Sequence, residues 1–233
     1  MSWSATVLTL VPEIFPGPLG VSLIGKAAAR GLWQLTVNDI RQHGVGRHRN
    51  VDDTPAGGGP GMVMRPDVAC AAIDAALAAG AKGPVIYLSP RGRLLDQARV
   101  RTLASGPGVT LLCGRFEGLD ERAIEARQLE ELSIGDFVLA GGETPALALI
   151  EACVRLLPGV LGAEASALDD SFSENLLEYP QFTRPQSFEG RAIPEVLSSG
   201  DHARIARWRR TQAEALTKSR RPDLFTLYES GKH

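Results

Sequence analysis

Short apolar runs alternate along the first two thirds of the chain with stretches whose apolar positions recur at helical spacing. Thr6 to Val11 reads as a buried strand stopped by Pro12, and Leu19, Leu23, Ile24, Ala27 and Ala28 follow at the three-to-four-residue period of a helix that Gly31 closes. Leu35 to Ile40 predicts a second strand, and the alanine-rich stretch from Pro66 to Gly80 predicts a helix. The rhythm then repeats. Val85 to Leu88 predicts a strand ending at Ser89-Pro90, with a helix from about Leu95, and Val109 to Leu112 predicts a strand ending at Cys113-Gly114. Phe137 to Ala140 predicts a third strand end of this kind. There Gly141-Gly142 permits close backbone approach, Thr144 is a candidate helix cap, and Pro145 opens an apolar helix reaching Leu157. Strands alternating with helices predict an α/β fold with a mainly parallel sheet covered on both faces. Ligands of such sheets bind beyond the carboxyl ends of the strands, so three strand ends are expected to converge on one site.

The pattern fails in two places. Arg41 to Arg65 has almost no apolar period but carries four arginines, two histidines and Gly57-Gly58-Gly59-Pro60-Gly61, which fits a glycine platform beside cations suited to phosphate. No Lys-Ser/Thr follows those glycines, and no Gly-x-Gly-x-x-Gly follows the first strand, so neither an NTPase loop nor a dinucleotide-binding turn is supported. Residues 160–175 are small, polar and acidic, and predict a linker between a domain at 1–159 and a smaller helical one at 176–233. In that second unit His202 to Ser219 is the clearest helix, with Ile205 and Trp208 on one face and Arg204, Arg207, Arg209 and Arg210 elsewhere.

Composition alters this picture only locally. The net charge is −2, yet residues 201–233 hold eight Lys/Arg against four Asp/Glu, whereas 160–200 hold seven acids against two arginines. A polyanionic partner is therefore expected for the C-terminal unit alone. Cys70, Cys113 and Cys153 have no metal-ligand spacing and read as reduced thiols of a cytoplasmic protein. No apolar stretch is long enough for a membrane span and no signal segment is visible, so no membrane association is expected.

Several segments together resemble the bacterial tRNA (guanine-N1)-methyltransferase family. They are Arg47-His48-Arg49 through Val51-Asp52-Asp53, Gly57 to Met62, Tyr87 to Arg93, Cys113 to Arg122 and Ser133 to Pro145. Pro158 to Gly162, Glu164 to Ala167, Asp170-Ser171-Phe172 and Thr183-Arg184-Pro185 complete the match, in family order over nearly the whole chain. The resemblance implies the SPOUT architecture with a deep trefoil knot, an S-adenosylmethionine pocket, and methylation of the guanosine just 3′ of the anticodon. It implies a homodimer whose active site joins the cofactor pocket of one chain to the linker of the other, and a requirement for Mg²⁺.

The residues carried over are these. Tyr87, Leu88, Ser89, Pro90, Gly114, Glu117, Ile134, Gly135, Asp136, Phe137, Val138, Leu139, Gly141, Gly142 and Pro145 would hold the cofactor. Asp170 would be the general base for the guanine N1 proton, and Arg155 would stabilise charge growing on O6. The residue-level alternative for Arg155 is an ion pair with Glu151, four positions earlier. Arg47, Arg49, Gly58, Gly59, Ser166, Arg184, Arg209 and Arg210 are expected to meet tRNA. Phe116, Phe137 and Gln181-Phe182 depart from some relatives, and no role is carried onto Gln181 or Phe182. Two other outcomes share these motifs: a methyltransferase for another RNA site, and an RNA-binding protein without catalysis.

Overall fold

The computed structural model describes residues 2–161, 171–172 and 174–231. Their contacts fall into two compact units, Met1–Gly162 and Ala163–His233.

The first unit is built on a five-stranded sheet in the order β2-β1-β6-β5-β7. The strands are β1 (Trp3–Thr9), β2 (Trp33–Asp39), β5 (Val85–Leu94), β6 (Gly108–Cys113) and β7 (Glu130–Ser133), and every pairing is parallel. β6 is buried at all six positions, as a central parallel strand covered on both faces must be. On one face α1 (Ser22–Ala29), α3 (Gln97–Ser105) and α5 (Glu143–Val154) close over Trp3, Val7, Trp33, Ile86, Leu111 and Ile150. On the other, α2 (Pro66–Ala78) and α4 (Glu121–Arg127) close over Leu8, Met64, Ile73, Tyr87, Leu112 and Leu119. The buried indoles are satisfied: Trp3 Nε1 donates to the Leu103 carbonyl and Trp33 Nε1 to that of Ile24, each at 3.0 Å. Between β2 and α2, β3 (Asp52–Asp53) and β4 (Val63–Met64) form a short antiparallel ladder, and residues 54–62 are the loop it carries.

Three sequence expectations are corrected. Phe137 to Ala140 is not a strand. It is irregular backbone, and Val138 is 82% exposed. The third strand end is supplied instead by β7, whose two leading glutamates hid it from a search for apolar runs. Thr144 does not cap α5. Gly142 occupies the N-cap, and Pro145 lies in the first turn, where its missing N–H costs nothing. Strand β5 does not end at Ser89-Pro90. Its pairing with β7 breaks after Leu88 and resumes at Arg93, so residues 89–92 bulge from the ladder while the strand runs to Leu94. Ala146, Leu149, Ile150, Cys153 and Val154 of α5 are buried in the core of their own unit.

In the second unit β8 (Ser187–Phe188) and β9 (Arg191–Ala192) form a small hairpin ahead of α6 (His202–Arg220) and α7 (Pro222–Glu229). The α6 helix matches the predicted one and is capped by Asp201, whose side chain accepts from the Arg204 N–H at 3.0 Å. Tyr228 on α7 donates to Glu214 on α6 at 2.6 Å. Thr217 accepts from the Leu177 N–H at 2.8 Å, which ties the incoming chain to the helix.

Candidate active site

A cavity of about 240 Å³ opens at the carboxyl ends of β5, β6 and β7. Its first wall is Tyr87 to Arg91, its second is Gly114 to Leu119, and its third runs from Leu132 to Pro145. The fifteen residues expected to hold a cofactor all lie on this lining except Asp136.

The backbone of the walls is locked from behind. Gly142 donates to the Gly114 carbonyl at 2.9 Å, which joins the third wall to the second. A Cβ on Gly142 would lie 2.7 Å from the Cys113 Cα, and one on Gly114 would lie 2.7 Å from the Tyr87 ring. Both glycines are therefore required by close approach of the chain, before any ligand is considered. The Tyr87 hydroxyl accepts from the Leu119 N–H at 3.2 Å, and burial pushes its phenol above the ordinary value. Phe116 has φ +59, a left-handed conformation costly for an aromatic residue, and is half exposed at the cavity mouth. With Phe137, Val138 and Leu139 it makes an exposed apolar lip.

Sequence reasoning passed over one part of the site. Glu143, the first residue of α5, is 2% exposed. Its Oε1 accepts from Thr9 Oγ1 at 2.7 Å and from Arg115 Nε at 3.2 Å, while its Oε2 lies 3.0 Å from Arg115 Nη2. That second oxygen is within ion-pair distance but off the hydrogen-bond direction, so it accepts no hydrogen bond. The signal available in sequence was a glutamate at the start of a helix, opposite an arginine in the preceding strand-end motif. Nothing in the chain order brings Thr9 to the same place.

The loop of residues 57–61 reaches the site from the side. Glu117 donates its N–H to the Met62 carbonyl at 2.9 Å, and Met64 donates to that of Gly118 at 2.8 Å. A Cβ on Gly61, at φ +85, would lie 2.4 Å from Glu117 Cγ. Gly58 and Gly59 thus sit on a loop whose end is hydrogen-bonded to the second wall, while Arg47 and Arg49 are exposed in the preceding turn.

Arg155 is not brought to the cavity. It caps the far end of α5, about 18 Å along the axis from Glu143 at ~1.5 Å per residue. Asp170 and Ser166 lie outside the described residues. In the second unit Arg184 is exposed. The Arg209 guanidinium lies 4.8 Å from the Tyr179 ring centre. Arg210 is engaged by Glu174, by Glu214 at 3.4 Å and by the Tyr228 ring at 5.0 Å. Phe182 meets Trp208 edge-on at 6.1 Å, and Gln181 bonds to Glu178. Among the described residues no group of three or more His, Cys, Asp or Glu could hold a metal ion, and no helix is long and apolar enough to cross a membrane.

Comparison with known proteins matches residues 3–227 to the family described as tRNA (Guanine-1)-methyltransferase TrmD. A protein named tRNA (guanine-N(1)-)-methyltransferase from Rhodopseudomonas palustris (strain BisB18) is 67% identical over 96% of this chain and 88% of its own length. Its namesake from Bradyrhizobium diazoefficiens is 66% identical over 96% and 89%. One from Rhizorhabdus wittichii is 59% identical over 100% and 94%.

Proposed function

The chain belongs to the tRNA (guanine-N1)-methyltransferase family, and from that premise we propose that it methylates N1 of the guanosine immediately 3′ of the anticodon, using S-adenosylmethionine. The observation that carries this is the cavity where three strand ends meet, lined by fourteen of the fifteen residues expected to hold the donor. A folded small molecule there would be flanked by all three walls, with an apolar lip at the mouth. S-adenosylmethionine, when bound, supplies a methyl group on a sulfonium centre.

The chain's own residues must remove the N1 proton. Asp170 is assigned as the base, accepting that proton as the N1–methyl bond forms, and Arg155 as the cation that stabilises negative charge on O6. The two lie within sixteen positions of sequence, and Arg155 is remote from the cavity of its own chain. That separation favours a homodimer in which the Arg155 end of one copy serves the cavity of the other. The trefoil knot belongs to the same reading, supported by the path of residues 134–142 from β7, past the end of β5, to Gly114. The described residues offer no cluster for Mg²⁺, so no step is drawn through it. The domain roles follow: 1–159 catalytic, 160–175 a linker bearing the base, 176–233 for tRNA.

The test is transfer of labelled methyl from S-adenosylmethionine to tRNA transcripts with and without the guanosine 3′ of the anticodon. Label is expected only on the first. Equal labelling would point to another RNA site, and no labelling to a binding protein. Asp170→Asn is expected to lower kcat by about 10²-fold or more while donor affinity stays within twofold.

A further inference from the structure

A methyl donor of this kind carries a carboxylate, and among the described residues only two cations line the cavity, Arg91 and Arg115. Arg91 is more than half exposed and is shared by two carboxylates, Glu121 at 2.8 Å and Glu131 at 3.2 Å. Arg115 is 26% exposed and has one acidic partner, Glu143. Glu143 accepts the Nε–H, its second oxygen lies 3.0 Å from Nη2 as an ion pair only, and Nη1 donates to the Ala140 carbonyl at 3.5 Å. Among the described residues at least one N–H on each terminal nitrogen therefore remains available, and two such donors on one planar guanidinium suit a carboxylate.

Glu143 is not a mere counter-ion. It is held in turn by Thr9 at the end of β1 and by its place in the first turn of α5, where the helix dipole favours negative charge. The pair also explains Gly141. A Cβ there would lie 2.5 Å from both Arg115 Nε and Glu143 Oε2, so that glycine is required to admit the ion pair. We propose that Glu143 is a positioning residue, acting through Arg115 to present a fixed guanidinium to the carboxylate of the methyl donor. This rests on the reading of the cavity as the donor pocket.

The experiment measures equilibrium binding to the full chain of S-adenosylmethionine and of its decarboxylated analogue, with thermal melting in parallel. Arg115→Ala and Glu143→Gln are each expected to weaken S-adenosylmethionine by roughly 10-fold or more, the range of a hydrogen bond to a charged group. Both should leave the decarboxylated analogue within twofold of the unaltered chain. The double variant should bind no more weakly than Arg115→Ala alone, because Glu143 has no separate route to the ligand. Gly141→Ala keeps both charges but displaces them, and should reproduce the selective loss even if Glu143→Gln melts early. Equal losses for the two donors, additive losses in the double variant, or no loss would overturn the proposal. If the unaltered chain binds neither donor, the donor-pocket reading falls first and this assignment with it.

Discussion

At the scale of single residues the most sharply defined groups are those cut off from water. Cys113 and Cys153 are fully buried, and Cys70 is partly so. Burial drives all three thiols upward, Cys153 to about 12 from 9.0 and Cys113 in the same direction, and it raises the Tyr87 phenol too. An acid whose folded value lies above its unfolded one keeps its proton in the fold after the unfolded chain has released it. Stability is therefore whole below about pH 9 and falls as pH rises towards 12. Melting temperature measured from pH 7 upward is expected to decline above pH 9. Titration with an aromatic disulfide at neutral pH should find only Cys70 reacting in the native chain, and all three thiols after denaturation. Flat alkaline melting or a rapid second thiol would contradict the burial described.

At the scale of elements, the β5–β7 pair decides the shape of the cavity floor. Gly92 lies where a Cβ would be 2.4 Å from the Leu132 backbone nitrogen, so the bulge can rejoin β7 only with glycine there. Gly92→Ala should cost about 1–3 kcal/mol, as other overpacked sites do, and lower the melting midpoint by several degrees. An unchanged midpoint would show that the bulge relaxes freely. Much of this architecture was legible in the sequence. The apolar runs of β1, β5 and β6 and the alanine-rich period of α2 were legible because burial favours apolar side chains, with only small hydroxyls such as Thr6, Thr9 and Thr110 among the buried strand positions. What misled was Phe137 to Leu139, whose apolar character serves a cavity wall and its lip rather than a strand. What was missed was β7, which pairs only with β5 at the sheet edge and so tolerates two glutamates. The Glu143–Arg115–Thr9 cluster was invisible for another reason: it joins residues 134 positions apart, and no periodicity records such a meeting.

At the scale of the whole molecule the two units differ in charge. The cavity belongs to residues 87–145, whereas the excess of cations lies beyond residue 201. Arg210 spends its charge on Glu174 and Glu214. Arg204 and Arg207 are exposed and have no ion pair among the described residues, so on the proposed reading they are the cations to test against phosphate. Replacing both with alanine should weaken tRNA binding and flatten its dependence on salt, the slope of log K against log salt falling by about 0.7–0.9 per lost phosphate contact. Arg210→Ala should instead destabilise its unit with little change of slope. If the Arg204/Arg207 variant keeps the original slope, the C-terminal helix packs but does not meet RNA.

The strand order has one further consequence, for how the chain is made. β1 lies between β2, some thirty residues on, and β6, which begins at Gly108. A chain emerging from the ribosome can pair β1 with β2 early, but the other edge of β1 stays open until β6 arrives. At ~5–20 residues per second that wait lasts several seconds. Throughout it Ala5, Val7 and Leu8, all fully buried in the finished fold, stand at an unpaired margin that any other nascent strand could join.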